Sequence, residues 1–203
     1  KDFNKLVEHK IVSEEKMFII TANPETFMLA EKNNILSQAL LDPQTYVIAD
    51  GIGIVKGAKI LKYKIQETIP GVELCTEIFK YCDKYKKNIF LFGSQNDVLN
   101  KLVDVINTNY PNILVCGYEN GYVENKQSVF EKLADMQPDV VLVALGIPLQ
   151  ETLIYDNLQD FKKGIFVGVG GSFDVLSGTK KRAPKLFINL HLEWLFRILR
   201  EPK

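Results

Sequence analysis

Residues 46–55 read Tyr46-Val47-Ile48-Ala49-Asp50-Gly51-Ile52-Gly53-Ile54-Val55. The first four residues form the short apolar run of a buried strand, and a single carboxylate, Asp50, stands at its end before two glycines. In open α/β sheets, ligands gather outside the carboxyl ends of the strands, and glycine lets a substrate approach the backbone closely. Asp50 therefore has the position of a catalytic base. Aspartate is also a favoured helix N-cap, so a cap on the following helix is the alternative reading of the same residue.

On either side of this stretch, strand and helix patterns alternate. On the N-terminal side, Phe3, Leu6 and Val7 have helical spacing, residues 17–20 read as a buried strand, and Thr21-Ala22-Asn23-Pro24 ends that strand. Pro24 suits a first helical turn, and Phe27, Met28, Ile35 and Leu36 predict the apolar face of one helix. On the C-terminal side a lysine-rich connection over 57–70 leads to a helix over 72–85, a strand over 88–92 and a helix over 96–108. A strand over 113–116 follows, then a glycine-bounded loop over 117–121 and a helix over 126–136. Strands over 139–144 and 165–169 end in Gly146-Ile147-Pro148 and Gly170-Gly171-Ser172, with a helix starting near Leu149 between them. This alternation predicts one Rossmann-like α/β domain over residues 1–178, a mainly parallel sheet with helices on both faces. The strand ends at Thr21, Asp50, Gly146 and Gly170 are expected to converge on one rim.

The bulk composition excludes several function classes. The chain has 203 residues, 46% hydrophobic and 25% charged, which is the composition of a globular domain with a substantial core. Net charge is zero and gives no reason to expect nucleic acid. Cys75, Cys82 and Cys116 have no C-x-x-C spacing and fit reduced thiols in a cytosolic protein, while two histidines, His9 and His191, exclude a histidine-rich metal site. No apolar run approaches the ~20 residues of a membrane span. The chain starts at Lys1 without a methionine, as expected where part of a natural N-terminus is missing.

Nucleotide motifs are mostly absent. The third glycine of G-x-G-x-x-G would fall on Lys56, and no G-x-x-x-x-G-K-[ST] or G-x-S-x-G occurs. Gly168-Val169-Gly170-Gly171 follows a strand, yet no second feature makes it a nicotinamide site. Gln150-Glu151 at a helix start serves either as helix punctuation or as ligand contacts, and Asp174 either holds a ribose or caps a helix. Without Asp-x-Asp, a bound diphosphate would need cationic side chains or helix N-termini.

The tail, residues 179–203, carries seven basic residues (Lys180, Lys181, Arg182, Lys185, Arg197, Arg200, Lys203) against Glu193 and Glu201, so it is +5 and the remainder −5. Its apolar residues, with Trp194 among them, fit either a basic amphipathic C-terminal helical appendage on an anionic membrane surface or an ordinary core helix.

Taken together, Thr21-Ala-Asn-Pro24, Ala49-Asp-Gly-Ile-Gly53, Leu145-Gly-Ile-Pro-Leu-Gln-Glu151, Gly168-Val-Gly-Gly-Ser-Phe-Asp174, Arg182-Ala-Pro184 and Leu192-Glu-Trp-Leu-Phe-Arg197 resemble the WecG/TagA/CpsF family of bacterial glycosyltransferases. The resemblance implies an enzyme on the cytoplasmic, inner face of the membrane. It implies inverting transfer of a sugar, N-acetylmannosamine or a related hexose, from a UDP-sugar to a polyprenyl-diphosphate-linked sugar in cell-surface glycan synthesis. No metal or cofactor is expected. Carried over by position, Asp50 is the general base, Thr21 and Asn23 line the acceptor side, and Gln150 and Asp174 contact the UDP-sugar. Gly51, Gly53, Glu151, Gly170 and Gly171 join the expected substrate-binding set, and Arg197 and Arg200 belong to a membrane-proximal appendage over 179–203. The resemblance leaves self-association open. One departure is Thr68-Ile69-Pro70-Gly71, where the family has an arginine expected near the diphosphate; either Lys62 or Lys64 substitutes for it or the donor differs. A further arginine beyond Lys203 is also expected. A nucleotide-sugar-modifying enzyme and a non-catalytic nucleotide-binding domain are the competing readings.

Overall fold

The computed structural model describes residues 2–65, 68–181, 183 and 187. Six strands, β1 (Lys16–Ala22), β2 (Thr45–Ala49), β3 (Asn88–Gly93), β4 (Leu114–Glu119), β5 (Val140–Ala144) and β6 (Gly164–Gly168), form one sheet in the order β2-β1-β6-β5-β3-β4. Every pairing is parallel. The apolar runs read from the sequence are continuous because both sheet faces are covered, as parallel sheets require.

Strand alternation sorts the core into two layers. Met17, Ile19, Leu91, Leu142 and Val167 pack with α1 (Asp2–Val12), α5 (Gly71–Tyr85), α6 (Asn96–Asn109) and α9 (Ser172–Leu176). Phe18, Ile20, Phe92, Val143 and Phe166 point the other way, against α3 (Asn34–Leu41), α7 (Gln127–Met136) and α8 (Leu149–Asn157). β6 lies between β1 and β5 and is buried along its whole length. It joins the β2–β1 pair to the β5–β3–β4 ribbon. At the amino ends of the strands Asp139 ties the starts of β3, β5 and β6 together, accepting from the Asn88 N–H at 3.0 Å and from Lys163 Nζ at 2.7 Å. The opposite, carboxyl rim is left for a ligand.

Two expectations change. The single helix expected from Pro24 onward is two, α2 (Pro24–Ala30) and α3, because the Asn33 side chain accepts from Leu36 N–H and starts a new helix. Of the expected apolar face only Leu36 is buried, while Phe27 and Met28 are 47% and 68% exposed. The glycine-bounded loop is also shorter, because β4 runs on through Gly117 and Tyr118 to Glu119. Most of the amphipathic tail, residues 188–203 with Trp194 among them, lies outside the described residues.

Candidate active site

The carboxyl ends of β1, β2, β5 and β6 surround a cleft of about 660 Å³. From the expected set, Thr21, Asn23, Asp50, Gln150, Gly170, Gly171 and Asp174 line it. Arg197 and Arg200 lie outside the described residues.

Asp50 reaches the cleft because its backbone continues β2 for one residue, its N–H donating to Ala22 O at 2.8 Å. The N-cap of α4 (Ile52–Ile60) is Gly51, so the cap position is not taken by Asp50. A Cβ built on Gly71 would lie 3.0 Å from Ser172 Oγ and 3.9 Å from Asp50 Oδ2, so carboxylate, hydroxyl and the start of α5 gather at one point. The first turn of that helix carries N–H groups without helical partners, a partial positive charge at the cleft wall formed by Pro70, Gly71 and Val72.

Thr21 and Asn23 stand beside Asp50 with part of their capacity already used. Thr21 Oγ1 donates to Gly168 O at 2.9 Å, tying β1 to β6. Asn23 caps α2, its Oδ1 accepting from Thr26 N–H at 3.1 Å, which makes the carboxamide nitrogen the group for a ligand. Gly51 and Gly53 do not line the cleft. Gly53 packs instead against Pro24, where a Cβ would come within 2.7 Å of Cγ.

Gln150 is almost wholly buried and holds two cleft loops together. Its Oε1 accepts from Gly146 N–H at 3.2 Å and from Gly170 N–H at 3.1 Å. Backbone N–H groups only donate, so the amide nitrogen must face the other way, where it donates to Glu151 Oε1 at 2.7 Å. Glu151 itself has no exposed surface and is absent from the cleft wall, unlike the substrate contact expected of it. Burial pushes its carboxyl up to about 7. The pair fills the space that a side chain at Gly168 would occupy.

Ser172, in a strand end already read as a ligand position, and further residues that motif reading passed over complete the wall. Ser172 follows the Gly170-Gly171 turn, and Thr179, Lys180 and Lys181 arrive through the turn after α9, where Lys180 N–H donates to Asp174 O at 2.8 Å. The two lysines were legible only as part of the tail's charge. Lys62 and Lys64, the expected substitutes for the arginine, are exposed and do not line the cleft. Among the described residues no group of three or more His, Cys, Asp or Glu side chains comes together in a way that could hold a metal.

Over residues 1–203 the chain matches the profile of the Glycosyl transferase WecG/TagA/CpsF family. The chain belongs to this family. Relatives named N-acetylglucosaminyldiphosphoundecaprenol N-acetyl-beta-D-mannosaminyltransferase include one from Bacillus spizizenii, 40% identical over 185 residues, 91% of this chain and 72% of the relative. Another from Bacillus subtilis is 38% identical over 197 residues, 97% of this chain and 77% of the relative. A third from Staphylococcus aureus (strain MW2) is 34% identical over 192 residues, 94% and 75%. As a WecG/TagA/CpsF glycosyltransferase, the protein carries its cleft on the rim where a Rossmann-like sheet binds ligands. Among the described residues no helix is long and apolar enough to cross a membrane.

Proposed function

We propose that this glycosyltransferase moves N-acetylmannosamine or a related hexose from a UDP-sugar to a polyprenyl-diphosphate-linked sugar, with inversion and without a metal, at the inner face of the membrane. The observation that carries the reading is Asp50 in a cleft walled by small residues, beside a helix N-terminus and two lysines. The names of the relatives supply the acceptor class and the sugar.

In this mechanism Asp50 accepts the proton of the acceptor hydroxyl as its oxygen attacks the anomeric carbon. The bond from that carbon to the donor's phosphate oxygen breaks, and UDP leaves with the electron pair. Lys180, Lys181 and the first turn of α5 meet the charge developing on the diphosphate, replacing the cation absent at Thr68. Asp174 and the Asn23 amide hold sugar or ribose hydroxyls. Gln150 acts on the substrate through the loops it pins rather than through its own surface.

The test is product analysis with a panel of UDP-sugars and a short-chain polyprenyl-diphosphate-linked N-acetylglucosamine. The expected outcome is a lipid-linked disaccharide with one UDP released per transfer. Conversion of the nucleotide sugar without acceptor would mark a modifying enzyme, and binding without turnover a non-catalytic domain.

A further inference from the structure

Residues 50–65 lead away from the cleft, and residues 68–70 arrive at it. Both stretches are anchored on the sheet, Asp50 N–H donating to Ala22 O at 2.8 Å and Ile69 N–H to Ala49 O at 2.9 Å. The helix of the first stretch, α4, has nine residues, two of them glycine and four β-branched, and none is buried. A helix this short and this poor in helix formers holds only by packing an apolar face, and the described core does not supply that packing.

The far end of α4 is nonetheless a built feature. Lys62 takes a left-handed conformation, φ +62°, where glycine is usual, and Tyr63 N–H donates to Ala58 O at 2.8 Å while Lys62 N–H donates to Lys59 O at 3.1 Å. This closed turn presents Ile60, Leu61 and Tyr63 to solvent at 81%, 68% and 72% exposure. Lys56, Lys59, Lys62 and Lys64 interleave with them, and no Asp or Glu occurs over residues 52–65. A second copy docking the same patch would set like charge against like. An anionic, apolar-backed surface satisfies both the lysines and the exposed side chains.

We propose that the α4 tip, residues 60–64, docks on anionic lipid beside the cleft and seats the cleft mouth at the membrane. The tip lies about 14 Å of helix from Asp50, close enough to bring a membrane-borne diphosphate to the carboxylate. Its purpose rests on the polyprenyl-acceptor reading; its lipid affinity does not. Each engaged lysine contributes roughly five-fold, so three give about 100-fold preference for anionic over neutral vesicles.

The experiment uses the full chain, so that every variant keeps the tail. Co-sedimentation with phosphatidylglycerol and phosphatidylcholine vesicles compares wild type with Lys59→Gln/Lys62→Gln and with Leu61→Ser/Tyr63→Ser, while transfer is assayed with a long-chain acceptor in vesicles and a short soluble one. Expected are a ten-fold or greater loss of phosphatidylglycerol binding and a matching loss of transfer to the vesicle-borne acceptor, with soluble transfer and thermal stability unchanged. Unchanged vesicle binding in both variants would overturn the proposal. So would a wild-type dimer that the variants dissociate without affecting vesicle binding. Failure of wild type to use any polyprenyl acceptor would overturn the functional reading alone, since vesicle binding still decides the tip.

Discussion

Glu151 is the residue whose environment differs most from what its type suggests. One carboxyl oxygen accepts from Gln150, and the other, Oε2, is buried without a hydrogen-bond partner among the described residues. Its ordinary value of 4.5 rises to about 7 through desolvation. Between those values the folded chain keeps a proton that the unfolded chain has released, so this group's contribution to stability is complete below about 4.5, falls as pH rises, and levels off above about 7. Glu151→Gln retains an acceptor for Gln150 and the shape of the neutral acid. It is expected to remove that slope, on the order of 3 kcal/mol, and to match or exceed wild type at pH 8. Thermal melts from pH 4 to 8 check this, and identical slopes in the two proteins would show that Glu151 is not the group responsible. At Asp50 the expectation is opposite in kind. Asp50→Asn should melt like wild type and bind UDP, yet turn over roughly 100-fold or more slowly, the scale of a lost general base. Normal turnover would leave the carboxylate with a structural role only.

Among the elements, the β3–β5 pair is the least tolerant of added atoms. Gly93 ends β3 at φ +115°, and a Cβ there would stand 2.3 Å from Ala144 O, on the backbone of the neighbouring strand. Gly93→Ala should lose roughly 3–5 kcal/mol in urea denaturation. Gly57→Ala, in the open interior of α4, should change stability by less than about 1 kcal/mol and in the stabilising direction. Equal effects at the two positions would contradict this account. The same contrast explains what could be read in advance. All six strands were visible as apolar runs, most plainly β1, β3, β5 and β6, because a strand buried on both faces needs no partner information to reveal itself. The continuation of β4 through Gly117 was not, since a glycine reads locally as a loop signal, whereas here it leaves room for the Phe90 ring on the neighbouring strand, 2.7 Å from where a Cβ would sit. Asp50 and the strand-end glycines stood out because they interrupt apolar runs. The inward turn of Glu151 and the arrival of Lys180 and Lys181 at the cleft depend on a hydrogen-bond chain and a turn that join distant segments, which local patterns do not record.

Across the molecule, the cleft is lined by Lys180, Lys181 and the start of α5, and among the described residues no group of acidic side chains comes together that could hold an ion. Transfer is therefore expected to survive excess EDTA; loss on chelation with recovery on adding magnesium or manganese would require a metal in the mechanism. The position of β6 has another consequence, in time rather than in space. Chains are synthesised from the amino end at about 5–20 residues per second, and contacts between distant segments form slowly. When residue 144 has left the ribosome, five strands exist, but β1 and β5 have no common neighbour, and Thr21 awaits a carbonyl 147 residues downstream. Until Gly164–Gly168 slots between them, the nascent enzyme is two separate ribbons with bare edges, open to chaperones and to misplaced pairing. Asp50, made before four of the six strands, gains its opposing wall only after β6, once residues 170–174 have followed, so the cleft is completed in a single late step.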